Sequence, residues 1–246
     1  MTVIDPSLPP LEIYLLGLVD FDEVQKLQRR LVYDQGERGG ASMILCEHPP
    51  TVSVGRSGSR AHVRPDYEEM AALGVSIRWV NRGGGCVLHL PGQISGYLIL
   101  PLRPFGLTLI AYLADLHRAL IAVLAEFDLV GTNLDDTSGV YLGNARVATV
   151  GVAVNRWIAY HGFTLNVGPQ LDPFRQMLEE PGPTGRPIRQ TSMEAWRQRI
   201  TPAAKVRESL IRKIEETFRL ERHHLYTQHP SIRRKVRADV HAQNLG

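Results

Sequence analysis

Apolar residues recur along this chain in two periods, and the switches between them mark out its elements. Residues 11–19 read as a strand, and Asp20 stands where a side-chain oxygen would cap a helix through Glu37, with Val24, Leu27 and Leu31 at helical spacing. Gly39-Gly40 ends that helix. Short strands are predicted at 42–46 and 51–55 around Glu47-His48-Pro49-Pro50, whose prolines lack donors and enforce an extended turn. A short helix at 65–73 closes at Gly74, a strand at 75–80 follows, and strands at 87–89 and 94–100 flank Pro91-Gly92. The clearest helix covers 108–127, with Ile110, Leu113, Leu116, Leu120 and Leu124 as its buried stripe. Residues 140–142, 146–154 and 157–167 predict an antiparallel meander with Gly143-Asn144 as a tight turn. Beyond Pro173 the pattern fades into a loop at 179–189. Ser192 then caps a short helix, and Thr201-Pro202 opens another that turns Val206, Leu210, Ile214 and Phe218 inward. The expected class is α+β: a mixed, largely antiparallel sheet flanked by helices.

With 246 residues and 43% hydrophobic content, the chain is long enough to bury one sizeable core, so a single domain over 1–218 is expected, with a basic C-terminal tail at 219–246. The net charge is only +3, yet Arg219, Arg222, Arg233, Arg234, Lys235 and Arg237 gather in that tail among His223, His224 and His229. Such a tail suits an acidic partner, or is a solvated terminus. The histidine spacing matches no familiar metal site, and none is expected. Two cysteines, Cys46 and Cys86, lie in apolar runs and offer no disulfide framework, which fits a reducing cytoplasm. The first ten residues lack a charged segment leading into a long apolar one, and no apolar run reaches spanning length, so neither secretion nor membrane insertion is expected.

Candidate chemistry concentrates in residues 82–97. Gly83-Gly84-Gly85 lead into a strand, where glycine gains no packing and loses more backbone entropy, so something is expected to approach the main chain there. A ligand is the candidate, with a structural Gly-rich loop as the alternative. Arg82 brings a forked donor suited to a carboxylate, phosphate or acyl carbonyl, and His89 returns a polar ring before the second turn. No Gly-Lys-Ser/Thr follows the glycines, and the G-x-G-x-x-G spacing is missing, so nucleotide binding is not implied.

Four segments together resemble the lipoyl (octanoyl) transferases, within the lipoate/biotin protein ligase superfamily. They are Glu47-His48-Pro49-Pro50-Thr51 with Gly55; Arg82-Gly83-Gly84 with His89 and Pro91-Gly92-Gln93; Gly139-Val140-Tyr141 with Gly151; and His161-Gly162-Phe163-Thr164-Leu165-Asn166-Val167. The resemblance covers roughly residues 10–200. It implies a single lipoate/biotin protein ligase-like domain, a mixed sheet with helices on one side, and an acyl tunnel at the glycine loop. It also implies movement of an octanoyl group from acyl carrier protein to a lysine of lipoyl domains, those of 2-oxoacid dehydrogenase or glycine cleavage proteins, with no cofactor and no nucleic-acid or membrane partner. Arg82, Gly83, Gly84, Gly85, His89, Gly151, His161 and Gly162 would then bind substrate, the glycine amides facing the carbonyl oxygen and Val87, Ile94 or Leu98 lining the acyl slot.

The departures from that pattern bear on catalysis. Resembling proteins carry a lysine in the strand after Gly-Val-Tyr and a cysteine in a Pro-Cys-Gly loop; here those positions are Arg146 and, at or beside it, Pro181. Arginine keeps the charge but is a poor proton acceptor near neutrality, and proline has no nucleophile. Arg146 could still polarise a thioester, and Cys86 is the sulfur left in this region, so these two are the candidate catalytic residues. A catalytically silent homologue that binds acylated or lipoylated domains is the alternative from another class. An ATP-dependent lipoate ligase is a third; the resembling ligases also place a lysine where Arg146 stands.

Overall fold

A computed structural model of the chain describes residues 9–133, 138–179, 187–220 and 222–232. Strand β1 (Leu11–Leu18) leads into helix α1 (Phe21–Arg38) and back to β2 (Ser42–Glu47). The Asp20 carboxylate caps α1 by accepting from the amides of Asp22 and Glu23, and Gly39, left-handed at φ 73°, ends it. Because a helix makes this crossover, β1 and β2 run parallel.

A smaller sheet follows, built from β3 (Thr51–Val54), β4 (Ser76–Trp79) and β5 (Cys86–His89) in the order β4-β3-β5, with α2 (Tyr67–Ala72) between β3 and β4. β6 (Gln93–Pro101) returns to the main sheet. Then come α3 (Leu109–Ala125), β7 (Gly131–Asn133), β8 (Gly139–Leu142), β9 (Ala145–Asn155) and β10 (Ile158–Asn166). Three helices, α4 (Asp172–Met177), α5 (Met193–Arg197) and α6 (Ala203–Phe218), precede β11 (His223–Tyr226). The main sheet has the order β11-β1-β2-β6-β10-β9-β8-β7; β11, β1 and β2 are parallel and the remaining pairings antiparallel. The expected class and the meander stand as read.

Alternation along these strands divides the core. Met43 and Leu45 of β2 with Leu98 and Leu100 of β6 pack against Leu116 and Leu120 of α3 and Leu210 and Ile214 of α6. Ile44, Tyr97 and Ile99 pack on the opposite face with Val24, Leu27 and Leu31 of α1. Helices therefore cover both faces of the sheet, not one, because most strands are apolar at even and odd positions alike. A third cluster holds Val52, Val54, Cys86 and Leu88 of the small sheet against Met70, Phe174 and Met177.

Three further expectations are corrected. Ile110 is 81% exposed and Tyr112 takes its place in the core, its hydroxyl donating to the Leu98 carbonyl. Two residues apart on a helix means about 200° of rotation, so both cannot face inward. Residues 131–133 and 223–226 are strands whose brevity and polarity hid them. The fold accordingly runs past residue 218: Leu11, Glu12, Ile13 and Tyr14 pair with His223, His224, Leu225 and Tyr226, and Tyr14 stacks on Tyr226 with ring centroids 5.2 Å apart. Arg233, Arg234, Lys235 and Arg237 lie outside the described residues. No described helix is long and apolar enough to cross a membrane.

Candidate active site

The small sheet meets the main sheet where β5 turns through Pro91-Gly92 into β6. At that junction lies a narrow cleft whose enclosed space is about 20 Å³, open at its mouth, walled by Phe21, Val80, Val87 and Phe163 and by Ser53, Arg82, His89, Tyr97, Thr149, Gly151, His161, Gly162 and Thr164. Its lining combines apolar surface with a few convergent polar groups, the usual make-up of a small-molecule site. A larger groove of about 720 Å³ lies at the β11 edge around Tyr14, Tyr226 and Ile232. It gathers none of the candidate site residues, though His229 of the basic tail lines it.

The glycine loop is held by its own chain. Arg56, Ser57 and Gly55 donate their amides to the carbonyls of Arg82, Gly84 and Gly85, and the Gly83 amide donates to Val152 of β9. A Cβ on Gly55 would fall 2.5 Å from the Gly84 oxygen, one on Gly151 2.7 Å from the Gly83 oxygen and 2.8 Å from Arg82 Nη1, and Gly84 itself takes φ 83°. What approaches this backbone so closely is loop 55–58 and strand β9. The cleft is accordingly lined by Arg82, Gly151 and Gly162 and not by Gly83, Gly84 or Gly85, and the Gly83 amide already has an acceptor.

Arg82 acts as a brace. Its Nη1 donates to the Gly83 carbonyl at 2.7 Å and its Nη2 to the Gly85 carbonyl at 2.9 Å, with Ser53 at 3.4 Å. Its charge still faces His89 and His161, which helps to lower both pKa values after burial, the larger cause. His89 is anchored through Nε2 to Ser53 Oγ at 2.9 Å and through Nδ1 to Ser95 Oγ at 3.4 Å.

His48, matched in the Glu-His-Pro-Pro segment without a role, belongs to the same cluster. Its Nδ1 lies 2.8 Å from the Val19 carbonyl, which can only accept, so Nδ1 carries the proton and the bare Nε2 accepts from the Tyr97 hydroxyl at 2.7 Å. Burial lowers its pKa to about 4, and that of His161 to about 3, so both rings are neutral at neutral pH. Phe21 packs against His48 and His89 with centroids 5.1 and 5.0 Å away. Phe21, Ser53, Tyr97 and Thr149 were not anticipated as lining residues. The alternation Thr51-Val52-Ser53-Val54 was the available signal for Ser53, since a small hydroxyl in a buried strand calls for a partner.

The two candidate catalytic residues lie elsewhere. Arg146, 5% exposed, is absent from the cleft lining: with the Gln190 amide turned so that its oxygen faces the guanidinium, as the donors there require, Nη2 and Nε donate to it at 2.8 and 3.2 Å, and Gly139 leaves room for the Arg146 stem. Its amide and carbonyl pair with Arg189 and Thr191, stitching the segment after the loop to β9. Cys86 is fully buried with Val52, Val54 and Met177 in the core of the small sheet, its Sγ 3.6 Å from the Ser59 carbonyl. The strand alternation points it away from the side that carries Val87 and His89. Pro181 lies outside the described residues.

Residues 20–215 match the lipoyl protein ligase A/B catalytic domain family. The chain belongs to this family. Its relatives include a protein of Roseiflexus sp. named octanoyltransferase, 34% identical over 86% of this chain and 88% of its own length. Another of that name, from Geotalea uraniireducens, is 35% identical over 73% of this chain and 80% of its own. Among solved structures, the bi-partite lipoate protein ligase of Thermoplasma acidophilum superposes with a TM-score of 0.64 at 18% identity, covering 89% of this chain and 88% of that one. A lipoate-protein ligase A bound with ATP superposes at 0.66 with 16% identity and 90% coverage of each. These structures share the fold of the lipoyl protein ligase A/B family, as the segments around Arg82, Gly151 and His161 implied.

Proposed function

We propose that this protein transfers an octanoyl group to a lysine of a lipoyl domain, and that acyl carrier protein is the donor. The observation that carries the reading is the coincidence of two facts. Relatives named octanoyltransferase match most of the chain at 34–35% identity, and Arg82, His89, Gly151, His161 and Gly162, from three of the four segments that resemble that family, line one cleft. Phe21, Val80, Val87 and Phe163 supply apolar surface for an acyl chain, while Arg82 places positive charge beside the position of a thioester carbonyl.

In the transfer the lysine amine attacks the thioester carbon, an amide forms, the carbon–sulfur bond breaks, and the donor thiol leaves with a proton. Arg146 has no lone pair to accept the amine proton and sits in the Gln190 contact. The imidazoles of His89 and His161 are the basic groups that face the cleft, and the burial that keeps them neutral also makes them weak bases. No hydrogen bond reaches the His161 ring nitrogens from the described residues, whereas both His89 nitrogens are engaged by serines. The acyl group passes directly from donor to acceptor, since the thiol of Cys86 is sequestered in another core.

Incubation with octanoyl-loaded carrier protein and a lipoyl domain, followed by the mass of each component, tests this. Octanoylated lipoyl domain is the expected product. Unchanged masses with measurable binding would establish a silent reader instead, and a product formed from free octanoate only when ATP is added would establish a ligase.

A further inference from the structure

We infer that Gln28, on the buried face of α1, is the positioning residue that holds the His161 ring in the cleft; the inference rests on the octanoyl-transfer reading for its consequence, though not for its geometry. Gln28 is 1% exposed, and its Oε1 accepts the backbone amide of His161 at 3.0 Å across 133 positions of sequence.

His161 needs such a partner. It takes φ 63° in the middle of β10, a conformation that costs free energy for any residue but glycine and persists only where the surroundings impose it. The pairing of β10 with β6 lapses there: Ala159 opposes Leu100 and Gly162 opposes Tyr97, but Tyr160 and His161 are not paired with β6. Gln28 takes the amide at this break.

The left-handed turn redirects the ring. Successive side chains of a regular strand point to opposite faces, yet the rings of Tyr160 and His161 stack with centroids 4.8 Å apart and planes 28° off parallel. Tyr160 packs with the cluster under α1, whereas Ala159, Phe163 and Leu165, which share the parity of His161, belong to the cluster under α3 and α6. His161 has therefore been swung from the core under α3 and α6 to the α1 side, and it lines the cleft with Tyr97. The Gln28 Nε2 is buried without a partner, so packing alone would favour an apolar residue of the same size. The oxygen is what this position supplies.

The test is a double-mutant cycle between Gln28→Met, which keeps the volume and loses the acceptor, and His161→Ala. Each variant is measured for octanoyl transfer and for affinity toward octanamide, a probe that cannot react. Expected are a loss of about tenfold for Gln28→Met in the wild-type background, almost none in the His161→Ala background, and recovery in Gln28→Glu, which keeps an oxygen in place. The His161 ring, followed by its carbon NMR signal, should titrate nearer the ordinary histidine value in Gln28→Met. A purely structural role predicts equal losses in both backgrounds and an unmoved ring; that result, or wild-type behaviour of Gln28→Met, overturns the inference. Should Gln28→Met not fold, Gln28→Asn, too short to reach the amide, enters the same cycle with the same two outcomes. If no form of the protein transfers octanoate, the functional reading fails, and the octanamide cycle with the ring titration still decides the positioning role.

Discussion

Lowering the pH from 6.5 to 4.5 should destabilise this protein steeply, because it buries several histidines as neutral rings. His48 is held to about 4 and His161 to about 3, in each case chiefly by burial, while His89 is pushed well below its ordinary value by burial, His48 and Arg82. A folded-state value below the unfolded one means that the unfolded chain binds more protons throughout the interval between them. Stability is then full above the unfolded value of about 6.5 and is lost as pH falls toward the folded values. Each ring contributes a loss approaching about 1.4 kcal/mol per pH unit, so His48 and His161 together remove on the order of 4 kcal/mol by pH 5. That is between about a quarter and most of the roughly 5–15 kcal/mol that stabilises a typical domain. Urea unfolding at half-unit steps of pH measures the slope, and His48→Gln removes one titrating ring. The slope should correspond to roughly two to three protons in the wild type and fall by about one in the variant. Stability flat between pH 6.5 and 4.5, or an unchanged slope in His48→Gln, would refute the neutral-cluster reasoning. Glu126, held at about 2 mainly by its hydrogen bond from Arg212, loses its contribution only in stronger acid.

Three other outcomes are expected. Gly151→Ala puts a carbon within 2.8 Å of both the Gly83 carbonyl and Arg82, so the loop must move, and transfer should fall by about 100-fold while circular dichroism stays near native. Cys86→Ala should retain full transfer and cost about 1 kcal/mol in denaturant unfolding, since the thiol fills core space and faces no cleft. Truncation after Arg222 removes β11 and the Tyr226 ring from β1, which should lower stability by at least about 1 kcal/mol and increase aggregation through the bared edge of β1.

Much of this architecture was legible because its signals were local. Asp20, Gly39, Thr108 and Ser192 sit where caps belong, and all four do cap or close their helices. What stayed hidden depends on contacts far apart in sequence. The three glycines announced a close approach, but nothing near residue 83 reveals that the approaching backbone belongs to residues 55–58 and 151–152. Arg82 had the chemistry of a ligand donor, and only the folded loop shows its guanidinium engaged by carbonyls on either side of Gly84. The left-handed His161 has no local signature, and the side chain that takes its amide, Gln28, lies on another element. The resemblance picked out the segments of Arg82, Gly151 and His161, which line the cleft; it could not tell that the carbonyls of Gly83 and Gly85 hold the Arg82 side chain.

The most direct test of the account is to find where the acyl chain lies. An octanoyl amide carrying a terminal photoreactive diazirine, irradiated with the protein and mapped by peptide mass spectrometry, should label the segments containing Val80, Val87 and Phe163, and the labelling should vanish in Gly151→Val. Labelling instead at Tyr14, Tyr226 and Ile232, in the larger groove at the β11 edge, and unaffected by that substitution, would contradict it.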